Sequence, residues 1–234
     1  MVFKFKEFSV KQDKTAMKIS TDAVLLGAWT KINKSINSIL DIGAGTGVIA
    51  LQMAQLYNAK TIVAIEIEIN AYQQCVENFE NSPWSDRLFC YHGSFQEFSI
   101  EIEDKYDLII SNPPFYTANF LSENKKRNQA RQTLSLSFEE LLVGAKKLLS
   151  DHGFLSVIIP FSEENSFLEK AKIQGLFPIK ITRVKGNINA KIKRSLILFT
   201  KLETNNCSKD ELILEIQRNQ RTVEYQRLVE PFYL

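Results

Sequence analysis

A chain of 234 residues suffices for one sizeable α/β domain with a real core and is too short for two full ones. Its apolar content of 44% and charged content of 24% exclude a disordered chain or a fibre, and a net charge of +2 announces no nucleic-acid partner unless the basic residues are clustered.

In chain order, the opening "MVFKFKEFSV" alternates and does not form a signal-peptide core, and an irregular or helical segment follows around "TDAVLLGAW". "SILDI" at 38–42 reads as the first strand of the core, followed by "GAGTG" and the helix "VIALQMAQLY". "TIVAIEI" at 61–67 is the next strand, with the helix "NAYQQCVENFE" after it. "RLFCYH" at 87–92 and "YDLIIS" at 106–111 follow as strands, then the helix "FEELLVGAKKLL" at 138–149. "FLSVIIP" at 154–160 precedes the helix "ENSFLEKAKIQ", and "FPIKITRV" and "RSLILFTK" read as two strands joined by a basic loop. This alternation predicts an α/β, doubly wound, mainly parallel sheet with an antiparallel pair at its end. Ligands of such sheets bind beyond the carboxyl ends of the strands, where the unusual residues of this sequence fall. The longest apolar stretches are strand-sized, so the expectation is a soluble cytoplasmic protein with no membrane span.

Cys75, Cys90 and Cys207 are odd in number and form no C-x-x-C pair, which fits a reducing compartment and argues against a disulfide or zinc framework. The only histidines, His92 and His152, are far apart in sequence and read as a strand-end side chain and a turn residue. No metal is expected.

"LDIGAGTG" places Asp41 at the end of the first core strand, with Gly43, Gly45 and Gly47 in the turn before a helix. Glycines let the backbone approach a ligand and the helix start offers free amide donors, although such a turn also serves as a plain strand-to-helix connection. The dinucleotide fingerprint G-x-G-x-x-G is not met, because Val48 occupies the third glycine position. Nineteen residues past Gly47, Glu66 ends the next strand, where a carboxylate can accept both hydroxyls of a ribose.

Together, "DIGAGTG" and the spaced acidic residue resemble the nucleoside-binding half of class I S-adenosylmethionine-dependent methyltransferases. The resemblance implies a seven-stranded Rossmann-like methyltransferase sheet with a terminal antiparallel strand. It also implies that Asp41 and the loop of Gly43, Ala44, Gly45 and Gly47 lie near the methionine portion of the cofactor, with Glu66 and Ile67 at the ribose. Ser94 and Phe95 then fall at the adenine, Ser94 standing where such enzymes often carry an aspartate.

The stretch "YDLIISNPPFY" ends a buried strand on Asn112 and locks the next two residues, Pro113 and Pro114, before presenting Phe115 and Tyr116. Prolines fix φ and push the preceding residue towards an extended backbone, so the amide is held in one orientation. Downstream of a methyl-donor loop, "NPPF" resembles the catalytic motif of methyltransferases acting on exocyclic or planar amide nitrogens, chiefly adenine N6. An adenine amino nitrogen is a poor nucleophile because its lone pair is delocalised into the ring. The side-chain oxygen of Asn112 and the carbonyl of Pro113 can hold its two hydrogens, and Asn112 also borders the cofactor. Phe115 stacks on a base taken out of any helix, and no catalytic histidine is required. A cytosine-C5 enzyme needs a nucleophilic cysteine after its proline, and none is there.

"AMKISTDAVLLGAW" at 16–29, "NSPW" at 81–84 and the terminal "PFYL" resemble the bacterial tRNA adenine-N6 methyltransferase family that modifies the adenosine 3′ of the anticodon, position 37, in a valine tRNA. This resemblance spans nearly the whole chain. It implies a single methyltransferase domain over 1–234, with a cofactor-covering segment at 1–37, a core at 38–201 and a C-terminal extension at 202–234. It also implies that Lys18, Thr21 and Asp22 cover the cofactor, although Thr21 or Asp22 also reads as a helix cap. Two basic segments are candidates for gripping tRNA: Lys125, Lys126, Arg127 and Arg131 after the Asn-Pro-Pro-Phe tip, and Lys185, Lys191, Lys193 and Arg194 in the later loop. A monomer is expected. The alternatives are a protein-glutamine N-methyltransferase, which usually carries an extra N-terminal helical domain, and a non-catalytic cofactor-dependent RNA-binding module. A DNA adenine enzyme usually adds a target-recognition domain, for which the chain lacks length.

Overall fold

The structure, a computed structural model, describes residues 2–113 and 136–234. A short antiparallel ribbon, β1 (Val2–Lys4) and β2 (Ser9–Lys11), opens the chain ahead of helix α1 (Thr21–Trp29). Then follow β3 (Ser38–Ile42), α2 (Val48–Leu56), β4 (Thr61–Glu66), α3 (Ile69–Glu80), β5 (Leu88–His92), α4 (Phe95–Glu101) and β6 (Tyr106–Ser111). After the undescribed stretch come α5 (Phe138–Leu148), β7 (Leu149–Pro160), α6 (Glu164–Ile173), β8 (Phe177–Asn187) and β9 (Ile192–Thr200). The chain ends with β10 (Ser208–Gln217), β11 (Gln220–Arg221) and α7 (Val223–Val229).

Among the described residues the main sheet has nine strands, in the order β11-β10-β8-β9-β7-β6-β3-β4-β5. All run one way except β9, which is antiparallel to β7 and β8, and β11, which is antiparallel to β10. The expected seven strands, β3 to β9, are thus present, and the last of them in chain order, β9, is the antiparallel one and lies between β7 and β8. The 202–234 extension adds β10 in parallel to β8 and β11 beyond it, giving an edge strand of mainly polar residues, "SKDELILEIQ", a partner to pair with.

Period-two alternation splits the core in two. On β3, Ile39 faces a layer with α1, α2, α3 and α7, whereas Leu40 and Ile42 face a layer with α4, α5 and α6. Ile110 and Ile109 divide likewise on β6. Strands buried on both faces explain the near-continuous apolar runs. Because β3 pairs with β4 on one side and β6 on the other, the winding direction reverses between β3 and β6, which opens a crevice at their carboxyl ends.

Three blocks remote in sequence close on one another beside this layer. Phe5 stacks on Phe8 at 4.6 Å between centroids, Phe8 meets Trp84 edge-on at 5.9 Å, and Tyr233 stacks on Phe5 at 6.0 Å. The backbone amide of Lys6 donates to the carbonyl of Phe232, whose ring is fully buried. The C-terminal "PFYL" therefore clasps the N-terminal ribbon.

Candidate active site

The crevice starts at the glycine loop. Gly43, Gly45 and Gly47 all take positive φ, yet they serve two different ends. A Cβ on Gly47 would lie 2.6 Å from the Phe79 ring and 2.8 Å from the Cys75 sulfur, so this glycine permits α3 to pack against the loop. A Cβ on Gly45 would meet nothing within 4 Å, so this glycine borders open space. Asp41 is fully buried beneath the loop; its Oδ2 accepts from the Ala50 amide at 3.1 Å, while Oδ1 has no partner among the described residues. Burial pushes its pKa up to about 7, against the Ala50 hydrogen bond that lowers it and with nearby Glu66 adding to the rise.

Glu66, at the tip of β4, is 8% exposed. Its Oε2 accepts from the Gly45 amide at 2.7 Å and its Oε1 from the Glu68 amide at 2.8 Å, so two backbone donors fix the carboxylate facing the loop. Ile67 is exposed beside it, and its carbonyl contacts His92 Nε2 at 3.1 Å. At the tip of β5, Ser94 is committed to capping α4: its Oγ accepts from the Glu97 amide and donates to Glu97 Oε2 at 2.7 Å. The ring of Phe95 is buried against Gly144, away from the crevice.

Asn112 and Pro113 stand next to the glycine loop. Ile42 pairs with Ser111 in the β3–β6 register, and the Ser111 hydroxyl donates to the Ile42 carbonyl at 2.9 Å. The next residue of each strand is Gly43 on one and Asn112 on the other. Asn112 is half-buried and Pro113 buried. Pro114, Phe115, Tyr116, Lys125, Lys126, Arg127 and Arg131 lie outside the described residues.

The N-terminal segment crosses the loop, fastened by side chains that sequence reasoning missed. Asn78 is buried; its Oδ1 accepts from the Lys11 amide at 2.8 Å, and its Nδ2 donates to the Lys11 and Thr46 carbonyls, each at 2.9 Å. One amide thus joins β2 to the glycine loop. Gln74 Oε1 accepts from the Lys14 amide, and Gln12 Oε1 from the Ile19 amide at 2.9 Å. Their signal was available: on α3, positions 71, 74, 75, 78 and 79 form one buried stripe at helical spacing, and two of them are amides.

Lys18 turns inward to the carbonyls of Gln12 and Thr15 and so fastens its own loop. Thr21 begins α1, and the cap is Ser20, whose Oγ accepts from the Ala23 amide. Asp22 accepts from Arg194 Nε at 2.7 Å, tying α1 to the start of β9.

The β8–β9 hairpin belongs to the same edge of the sheet. Arg194 pairs with Pro160 at the carboxyl end of β7, so the 188–191 loop projects on the side of Asn112 and the glycines. On the opposite face of β9, Ser195 donates to Glu164, which also receives the Arg183 guanidinium at 2.7 Å. Burial works to raise the Glu164 pKa, but the Arg183 and Ser195 hydrogen bonds outweigh it and hold the carboxyl below its ordinary value. Lys185 pairs with Glu211 at 2.7 Å, and Lys191 and Lys193 are exposed.

Among the described residues no group of three or more His, Cys, Asp or Glu could hold a metal ion, and no helix is long and apolar enough to cross a membrane. A cavity of about 430 Å³ lies at the opposite, amino-terminal end of the sheet, lined by Ser38, Thr61 and Tyr106 among others, and takes no part in this constellation.

The family model described as "Methyltransferase small domain" matches residues 20–173. The chain is 56% identical over 234 residues to a tRNA1(Val) (adenine(37)-N6)-methyltransferase of Christiangramia forsetii, covering 99% of this chain and 97% of the relative. It is 54% identical over 233 residues to the enzyme of the same name from Flavobacterium psychrophilum, covering 100% and 99% of the two. The crystal structure of a predicted O-methyltransferase from Agrobacterium tumefaciens superposes with a TM-score of 0.70 at 19% identity, over 90% of this chain and 96% of that one, a likeness of fold.

Proposed function

The chain belongs to the methyltransferase small domain family and to the tRNA1(Val) (adenine(37)-N6)-methyltransferases within it, and from that premise we propose that it methylates N6 of the adenosine at position 37 of a valine tRNA, with S-adenosylmethionine as donor. The observation that carries this reading is the β3–β6 register, which puts Asn112 and Pro113 beside the glycine loop.

The residues present fit the cofactor. Among the described residues Gly43 and Gly45 border open space, Glu66 offers a fixed carboxylate at the tip of β4, and Asp41 keeps an unpartnered buried oxygen beneath the loop. Asp41, Gly43, Ala44, Gly45 and Gly47 would hold the methionine end, and Glu66 with Ile67 the ribose. The hydroxyl of Ser94 caps α4, so recognition of the adenine falls to the backbone around Ser94 and Phe95. Lys18, Thr21 and Asp22 act by shaping the covering segment. When bound, S-adenosylmethionine supplies an electrophilic methyl group.

The chain's own residues prepare the nucleophile. Asn112 Oδ1 and the Pro113 carbonyl accept the two amino hydrogens of adenine, which favours a pyramidal nitrogen with a localised lone pair. Phe115 stacks on the extruded base, and Tyr116 and the basic residues from Lys125 to Arg131 contact the flanking RNA. The methylated nitrogen is acidic enough to lose its proton to water, so no tuned general base is needed. The whole of 1–234 works as one cytoplasmic, monomeric, metal-free methyltransferase domain.

Incubation with a methyl-labelled donor and tRNA tests this reading. Label is expected in the tRNA with the wild type, and Asn112→Ala should lower kcat about 10²–10³-fold, a larger effect than any on cofactor affinity. Undiminished transfer by Asn112→Ala would contradict the assigned role.

A further inference from the structure

The carboxyl edge of the sheet carries a second hairpin tip beside the 188–191 loop. β10 runs parallel to β8, with Ile213 opposite Lys185 and Glu215 opposite Asn187, so both strands reach the edge together. The chain then turns through Arg218 and Asn219, the latter at a φ of 65°, before β11. One residue past the last register pair stand Ile188 and Ile216, which are 67% and 56% exposed. In the strand register these two apolar side chains stand at the same level of the tip, a pair and not one isolated surface residue.

The charge at this place is mainly positive. Residues 185–194 contain Lys185, Lys191, Lys193 and Arg194 and no Asp or Glu, and residues 215–221 contain Arg218 and Arg221 against the single carboxylate of Glu215, which lies opposite Asn187 and Arg221 in the register. Three of these cations are already held: Lys185 by Glu211, Arg194 by Asp22, and Arg221 over the rings of Tyr225 and Tyr233 at 5.6 and 4.7 Å. Lys191, Lys193 and Arg218 are exposed and have no carboxylate within ion-pair distance among the described residues.

We propose that the β10–β11 turn is a second arm of the RNA-binding surface, in which Arg218 contacts a tRNA phosphate alongside Lys191 and Lys193, and Ile188 with Ile216 packs against the same strand of RNA. The inference rests on the chain being a tRNA methyltransferase. β10 is four strand spacings from β6, roughly 19 Å, so Arg218 contacts nucleotides flanking the reacting base and not the base itself. Phosphate contacts fix register and supply salt-dependent affinity, which suits exposed cations without side-chain partners. The parallel β10–β8 pairing then has a functional consequence: it brings the C-terminal extension to the edge where the base must enter.

The test measures binding of an unmodified valine tRNA transcript to the full-length protein as a function of salt. Arg218→Ala should reduce the slope of log Kobs against log salt by about 0.7–0.9 and weaken binding several-fold at moderate salt. Arg218→Lys should keep the slope, and adding Lys191→Ala and Lys193→Ala should reduce it further. Melting temperature and affinity for S-adenosylhomocysteine should stay at wild-type values. Salt-dependent binding by the wild type with an unchanged slope in Arg218→Ala overturns this surface and leaves the methyltransferase reading standing. No salt-dependent binding by the wild type overturns both.

Discussion

The tips of β3 and β4 and the tips of β8, β9 and β10 stand on one edge of one sheet, yet they are held by opposite means. Around the glycine loop, Asn78, Gln74 and Glu66 are buried and their polar atoms bond backbone groups, so the loop, the N-terminal segment and α3 are joined by hydrogen bonds. At the hairpins, the side chains of Lys191, Lys193 and Arg218 are exposed and bonded to no described residue. A small cofactor demands a preorganised cradle, because each loose group costs affinity on ordering. An RNA supplies many weak, screened contacts and needs a charged surface more than a rigid one. The difference teaches where substitutions should damage the fold and where they should damage only recognition.

The largest effect is expected at the hinge of the rigid side. Asn78→Ala removes three hydrogen bonds, one to the buried Thr46 carbonyl, at a cost of about 1–3 kcal/mol, and two to the part-buried amide and carbonyl of Lys11, each at a smaller cost. Titration with S-adenosylhomocysteine should show affinity at least about tenfold weaker, with tRNA affinity retained. A variant that loses both equally would mean that Asn78 supports only the global fold.

Next in size is acid–base linkage at Asp41. Its folded pKa, about 7, lies above the ordinary 3.8, so the folded state holds the proton more tightly than the unfolded chain. The stability this contributes is complete below pH 4 and is lost as the pH rises through 7. Across that window the wild type should lose about 4 kcal/mol relative to Asp41→Asn, from a shift of about three units at 1.36 kcal/mol each. Parallel urea-melt stabilities of the two proteins between pH 4 and 8 would show that Asp41 is ionised throughout.

The glycines give a sharper, smaller contrast. Gly47→Ala combines a left-handed φ with a Cβ 2.6 Å from Phe79, and should lower stability by about 2–4 kcal/mol. Gly45→Ala carries only the backbone cost, about 1–2 kcal/mol, but puts a methyl group into the crevice. Thermal melts should therefore rank Gly47→Ala as the less stable variant. Cofactor titration should show that Gly45→Ala binds more weakly than its stability loss explains.

Much of this was legible in the residues and some was not. The alternation of apolar runs with amphipathic stretches gave the parallel core, and "DIGAGTG", Glu66 and "SNPP" located the crevice because strand tips in such sheets have one available place to meet. β10 escaped because it starts on "SKDE" and sits at an edge, where pairing and not burial defines the strand. α4, at seven residues, is too short to show a helical period. Ser94 stood out as a ligand candidate, and the structure adds that its hydroxyl caps α4, a role set by the residues that follow it. Asn78 looked like one polar residue among many on α3, since its role depends on a ribbon 67 residues away in the chain.

The central claim is that the tips of β3 and β6 bring a methyl donor and an adenine amino group together. It is tested most directly by digesting valine tRNA treated with the pure enzyme and S-adenosylmethionine, and analysing the nucleosides and the anticodon-loop fragment by mass spectrometry. The account predicts N6-methyladenosine, confined to the adenosine 3′ of the anticodon and absent from Asn112→Ala reactions. Methylation of another base or position, or of none, would contradict it.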